Sequence, residues 1–180
     1  MKMLFVHIPK CAGIAMREIF PLPPHMDDTA THLPLREWRK MPNFAEYRTI
    51  TVVRHPCDRF VSAWCYLAQQ TPSHRFWDAD EHERSQAMQF DDVNEAAMNA
   101  HGATALPHFR PMKYYGAQDC DVILRYEDLA YTMPNLPKRN VSKRGNWRDE
   151  LSREAARMIE DAYSEDYRLF GYNKEDDNGE

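Results

Sequence analysis

Three short runs stand out along the chain because their interiors are aliphatic and β-branched: Lys2–Ile8, Arg48–Val53 and Asp121–Tyr126. Apolar stretches of this length, stopped by proline or charge, read as buried strands. After the first, Gly13–Phe20 has room for about two turns of helix before Pro21 ends it, since proline breaks the backbone ladder. After the second, Pro56 suits the first turn of a helix, and Phe60, Val61, Trp64, Leu67 and Ala68 recur at helical spacing. Two strand-loop-helix units in succession predict an α/β fold with a mostly parallel sheet and helices on both faces. Ligands of such sheets gather where strands end, and the first two strands run out into Lys10 and Arg54.

The remaining pattern is less regular. Residues 21–47 contain five prolines and read as connection, with a short strand near Thr29–Thr31 and a helical turn around Leu35–Lys40. Residues 71–84 are polar and read as a loop anchored by Phe76 and Trp77. Met88, Val93, Ala97 and Met98 predict one further helix ending near Gly102. Leu151–Tyr163 is amphipathic, with Leu151, Ala155, Ile159 and Ala162 on one face and Ser152 placed as N-cap. The acidic stretch from Asn173 reads as a frayed, disordered tail at 173–180, leaving one domain over residues 1–172.

Charge sharpens this picture. The 180 residues carry a net −5, which argues against a general nucleic-acid binder. The distribution is uneven, however: residues 1–75 hold ten Lys or Arg against six Asp or Glu, so an anionic ligand belongs in the first part of the chain. Cys11, Cys57, Cys65 and Cys120 form no CxxC pair and read as free thiols in a reducing cytoplasm. The eight histidines lack ligand spacing, so no metal is expected. The first apolar run is too short to span a membrane and lacks the plan of a signal peptide, which predicts a cytoplasmic protein without a membrane partner.

Two segments carry candidate chemistry. In Pro9-Lys10-Cys11-Ala12-Gly13-Ile14-Ala15, small residues let a loop close around a phosphate or sulfate while Lys10 supplies a point charge. In Val53-Arg54-His55-Pro56-Cys57-Asp58-Arg59-Phe60-Val61-Ser62-Ala63-Trp64, Arg54 leaves a strand end with a fork of donors suited to phosphate. Arg59 and Ser62 share a helix face three residues apart, the alternative for Arg59 being a surface ion pair with Asp58 or Glu46. No GxxxxGK[ST] loop is present, which disfavours a nucleoside-triphosphate kinase or hydrolase.

Together these segments resemble the sulfotransferases that use 3′-phosphoadenosine 5′-phosphosulfate (PAPS), in particular the carbohydrate-type, Golgi-sulfotransferase-like branch, here as a small soluble bacterial or viral member. The first matches that family's PKTAGTS-like loop and the second its VRxPxxRxxSxY signature. His108-Phe109-Arg110-Pro111, Leu124-Arg125-Tyr126-Glu127-Asp128-Leu129, Asn140-Val141-Ser142 and Asp166-Tyr167-Arg168-Leu169-Phe170-Gly171-Tyr172 match in order. The resemblance implies a three-layer sandwich of P-loop NTPase-like sulfotransferase fold. It implies that Lys10 and the backbone of Cys11, Ala12, Gly13, Ile14 and Ala15 bind the 5′-phosphosulfate. Arg54 and Ser62 would hold the 3′-phosphate, and Ser142 and Arg144, in the basic stretch Lys138–Arg144, would close over it. The product would be PAP and the acceptor a hydroxyl of a glycan or other small molecule. Lys10 would stabilise charge on the leaving oxygen, and His32 is the preferred base over His7, with His25, His55, His108 and the weaker Glu37 as alternatives. Two departures stand out: Ile14 and Ala15 replace the family's late hydroxyls, and Met112 replaces a Gln. The first motivates a second reading, a catalytically degenerate protein that binds PAPS or PAP. Acceptor recognition would fall to residues 21–47 and 71–115.

Overall fold

Parallel pairing of three strands organises the first part of the protein. The computed structural model describes residues 2–24, 26, 31–68, 81–137 and 145–174. Strand β1 (Lys2–Val6) pairs with β2 (Tyr47–Val53), Lys2 opposite Tyr47 and Val6 opposite Thr51, and β2 pairs with β3 (Val122–Arg125), Ile50 opposite Val122. The order is β1-β2-β3. β2 is central, and its residues from Thr49 to Val53 are all buried, as a strand covered on both faces requires. Two side-chain contacts fix the register. The Thr51 hydroxyl donates to the Val6 carbonyl at 2.8 Å, and the Asp121 carboxylate accepts both the N–H and the hydroxyl of Thr49 at 2.7 Å. The protein thus has an α/β fold with a small parallel sheet and helices, as the strand pattern predicts.

Two compact units form: Met1–Arg54 with Met112–Val141, and His55–Pro111 with Ser142–Glu180. The first holds the sheet, helix α1 (Gly13–Ile19) and the single turn α2 (Leu35–Trp38). Leu4 and Val6, on one face of β1, pack with Leu35 and Trp38. The second is helical: α3 (Pro56–Leu67), α4 (Glu81–Ala87), α5 (Val93–Met98), α6 (Ala100–Ala103), then α8 (Trp147–Glu150), α9 (Arg153–Ala162) and α10 (Ser164–Phe170), with α7 (Leu129–Thr132) belonging to the first unit. Its core joins Phe60, Val61 and Leu67 of α3 to Ala96 and Ala97 of α5 and Ala155 and Ile159 of α9.

Pro56 opens α3, and the Ser152 hydroxyl caps α9 by accepting the Ala155 N–H, both as the sequence predicts. The expected single helix between 88 and 102 is instead two short ones, α5 and α6, and α4 before them takes in residues 81–84, read above as loop. Asp92 divides α4 from α5, its carboxylate accepting the N–H groups of Asn94 and Glu95 at the start of α5. Of the strand expected at 29–31, Thr31 lies in a turn and the other two positions fall outside the described residues, as do Phe76, Trp77, His25 and the basic stretch with Ser142 and Arg144.

Candidate active site at the strand ends

Because all three strands run in one direction, His7–Lys10, Arg54 and Tyr126 leave the sheet at the same edge. Arg54 ties these exits together. Its guanidinium lies over the Tyr126 ring, 3.9 Å from the centroid, and Nη1 donates to the Lys10 carbonyl at 2.9 Å. Its backbone N–H points at the Met112 sulfur, 3.4 Å away. Arg54 is only 7% exposed, so its charge is held within a built environment. The Met112 position, a departure from the family pattern, therefore acts as support beneath Arg54.

The Lys10 loop is wound tightly. Cys11 N–H returns to the Ile8 carbonyl at 3.3 Å, and Lys10 and Ala12 both take left-handed backbone conformations, at φ 67° and 58°. A side chain there meets its own backbone, at a cost of about 1–3 kcal/mol per residue, so surrounding contacts must over-determine the turn. The Arg54–Lys10 hydrogen bond is one such contact. Cys11, Gly13 and Ala15 are buried, Lys10 and Ala12 are partly exposed, and Ile14 is 51% exposed.

Gly13 is set by His7. A β-carbon at 13 would fall 1.5 Å from His7 Nε2, so the imidazole occupies the place of a side chain. His7 is 6% exposed and stacks on Phe5 at 5.6 Å, while His32 meets it edge-on at 4.5 Å between ring centroids. Two bonds hold His32 there: Arg17 of α1 donates to the Thr31 carbonyl at 2.8 Å, and the Trp38 indole donates to the Leu33 carbonyl at 3.0 Å. Lys10, Gly13, His7, His32 and Arg54 thus belong to one unit and one chain of contacts.

The other histidines and Glu37 sit in different surroundings. His55, just before α3, stacks on Trp147 at 4.6 Å and meets Tyr167 and Tyr172 edge-on. Burial, aided by the nearby Arg148 charge, lowers its pKa to about 4. His108 is 1% exposed, its Nδ1 2.9 Å from a Glu83 carboxylate oxygen whose partner oxygen accepts the His108 N–H. Glu37 pairs with Lys40 at 2.6 Å, and that hydrogen bond lowers its pKa.

Ser62 lies in α3, 8% exposed. Arg59, on the same face, lies inside the fold rather than at the surface: it is 1% exposed and donates to the carbonyls of His108, Phe109 and Arg110, while Glu46 takes Lys2 at 2.8 Å. Arg59 holds the His-Phe-Arg segment from one side and Glu83 holds it from the other. Sequence reasoning missed Tyr126 as the platform for Arg54. The available signal was an aromatic residue one position past the third strand, at the edge where the other strand ends carry cations.

All four cysteines are free thiols, and no described helix is long and apolar enough to cross a membrane. A family model described as "Sulfotransferase family" matches residues 1–173. No curated protein and no solved structure matches the chain.

Proposed function

The chain belongs to the sulfotransferase family, and from that premise we propose that it moves a sulfuryl group from PAPS to a hydroxyl of a glycan or other small acceptor, releasing PAP. The observation that carries this reading is the pairing of Lys10 with Arg54 at the strand ends, where the guanidinium braces the strained loop through the Lys10 carbonyl. Two cations brought to one edge by parallel strands fit a nucleotide with two separate anionic groups, a 5′-phosphosulfate and a 3′-phosphate, better than any neutral ligand.

In this reading Lys10 and the amides of residues 11–15 hold the 5′-phosphosulfate, and Arg54 and Ser62 take the 3′-phosphate, with Ser142 and Arg144 closing over it. The acceptor oxygen attacks sulfur in line as the bond from sulfur to the phosphate oxygen breaks. Lys10 stabilises the charge that develops on that leaving oxygen. His32 takes the acceptor proton. Support for His32 over its competitors is physical: His108 is sealed against Glu83, His55 is a weak base inside its aromatic cage, and Glu37 is weakened as a base by Lys40. We read residues 1–172 as one sulfotransferase domain spanning both units, adopting the P-loop NTPase-like sandwich of the carbohydrate-type branch. Free thiols throughout fit a cytoplasmic setting.

One observation favours a second reading, a degenerate PAPS- or PAP-binding protein: Ile14 is exposed and Ala15 offers no hydroxyl where the family has two. Incubation with sulfur-labelled PAPS and a panel of glycan, lipid and phenolic acceptors separates the two. Transfer predicts a labelled acceptor; the degenerate reading predicts saturable binding with no labelled product.

A further inference from the structure

His7 stands between the two halves of the transfer machinery, all within the first unit. On one side its ring lies against Gly13 of the Lys10 loop, where a β-carbon would fall 1.5 Å from Nε2. On another it meets the His32 ring edge-on, at 67° with the centroids 4.5 Å apart. Phe5 stacks on it at 25°. The backbone entering His7 is fixed too, because Val6 pairs with Thr51 and the Val6 carbonyl accepts the Thr51 hydroxyl. In a close-packed setting of this kind, a shift of one ring is passed to its neighbours. The two histidines differ in access. His7 is 6% exposed with Nδ1 buried, which keeps it out of reach of an acceptor, whereas His32 is half-buried. Its Nε2 is buried, which leaves Nδ1 as the nitrogen for an acceptor proton.

We infer that His7 is a positioning residue, which sets the His32 ring relative to the Lys10 loop so that the base and the leaving-group cation address one reacting centre. The inference rests on the reading of His32 as base given above. Arg17 and Trp38 hold the carbonyls of Thr31 and Leu33, and so fix the backbone on either side of His32. His7 supplies a contact to the ring itself. That contact matters because in-line transfer is sensitive to placement, a displacement of about 1 Å costing about a hundredfold in rate. A side chain held by packing, and packed in turn on the reacting group, is how a site keeps such tolerances.

Single-turnover transfer from labelled PAPS and calorimetric titration with PAP test this on the full chain, as wild type, His7→Ala, His32→Ala and the double variant. His7→Ala should bind PAP within about twofold of the wild type, because the Arg54 bond to the Lys10 carbonyl stays, and should transfer about a hundredfold more slowly. In the His32→Ala background the same change should cost nothing further, since His7 acts only through that ring. A merely structural loss would recur in both backgrounds. If His7→Ala does not fold, His7→Leu, which fills the space without a flat ring edge, decides by the same cycle. Unchanged transfer in the His7 variant, an equal further loss in the His32→Ala background, or PAP affinity that falls in step with the rate would overturn this inference and leave the transfer reading in place. No transfer by the wild type, or full transfer by His32→Ala, would remove the reading beneath it as well.

Discussion

Replacing Gly13 by Ala is the sharpest probe of how the Lys10 loop is held. The new β-carbon would lie 1.5 Å from Nε2, 2.1 Å from Cδ2 and 2.3 Å from Cε1 of His7, all far inside contact distance. His7 has little room to retreat, being 6% exposed between Phe5 and His32. Overpacking a closed site costs about 1–3 kcal/mol, while Gly→Ala in a helix by itself gains about 0.5–1 kcal/mol. The net loss of about 1–2 kcal/mol lowers the melting temperature by roughly 2–8 °C for a chain of this size. The clash is specific to one ring, so it should vanish in a His7→Ala background, where Gly13→Ala becomes neutral or stabilising. Thermal and urea unfolding of the four proteins in that cycle measure the coupling, expected at about 2 kcal/mol. A Gly13→Ala protein that melts with the wild type, or a penalty that persists without the imidazole, refutes the contact as the reason for glycine.

Other outcomes follow from the same contacts. Arg59→Ala removes the donor to three buried carbonyls and should cost about 3–5 kcal/mol, read as a fall in urea midpoint; Arg59→Lys, without the planar fork, should recover only part. Arg54→Lys keeps the charge but not the fork over Tyr126 and on the Lys10 carbonyl, so PAP affinity measured by calorimetry should fall about tenfold or more and the melting temperature should drop as well. His55 makes stability depend on pH with a definite sign. Its folded pKa, about 4 against an ordinary 6.5, means that between these values the unfolded chain takes up a proton the native state refuses. Its effect is absent above about pH 6.5 and grows as pH falls toward about 4. The difference of about 2.5 units is worth up to about 3 kcal/mol, and urea unfolding of His55→Phe should lack this part of the acid loss. Asp121 works in the same direction lower on the scale: Thr49 hydrogen bonds depress its pKa, so their support is present above the ordinary carboxylate value and lost as pH falls through the folded one.

The strands and the sequence-signalled caps were legible because local chemistry decides them. β-branched runs become central strands, Pro56 opens α3 and Ser152 caps α9. The helix ending near Gly102 was legible from its apolar spacing, but its break into α5 and α6 and the helix α4 before it were not, since pieces this short have little stability alone and form because Ala87, Ala96, Ala97 and Ala100 are buried in the second unit's core. Lys10 and Arg54 were visible as cations after strands, but the left-handed turn at Lys10 and Ala12 was not. Neither is glycine, and their conformation is enforced by contacts across long sequence separations, notably Arg54 with the Lys10 carbonyl 44 residues away. Gly13 was legible as a small residue that lets the loop close, but not as the space left for His7. Arg59 shows the same limit: helical spacing places it beside Ser62, but its burial against residues 108–110 depends on tertiary structure.

The central claim is that the Lys10 loop performs sulfuryl transfer, and single-turnover transfer from labelled PAPS in wild type and Lys10→Ala tests it most directly. Lys10 is partly exposed and outside both cores, so Lys10→Ala should keep the wild-type circular dichroism and melting temperature while transfer falls by about a hundred- to a thousandfold, the range lost with a transition-state charge contact. Near-normal transfer by a folded Lys10→Ala protein would contradict the account.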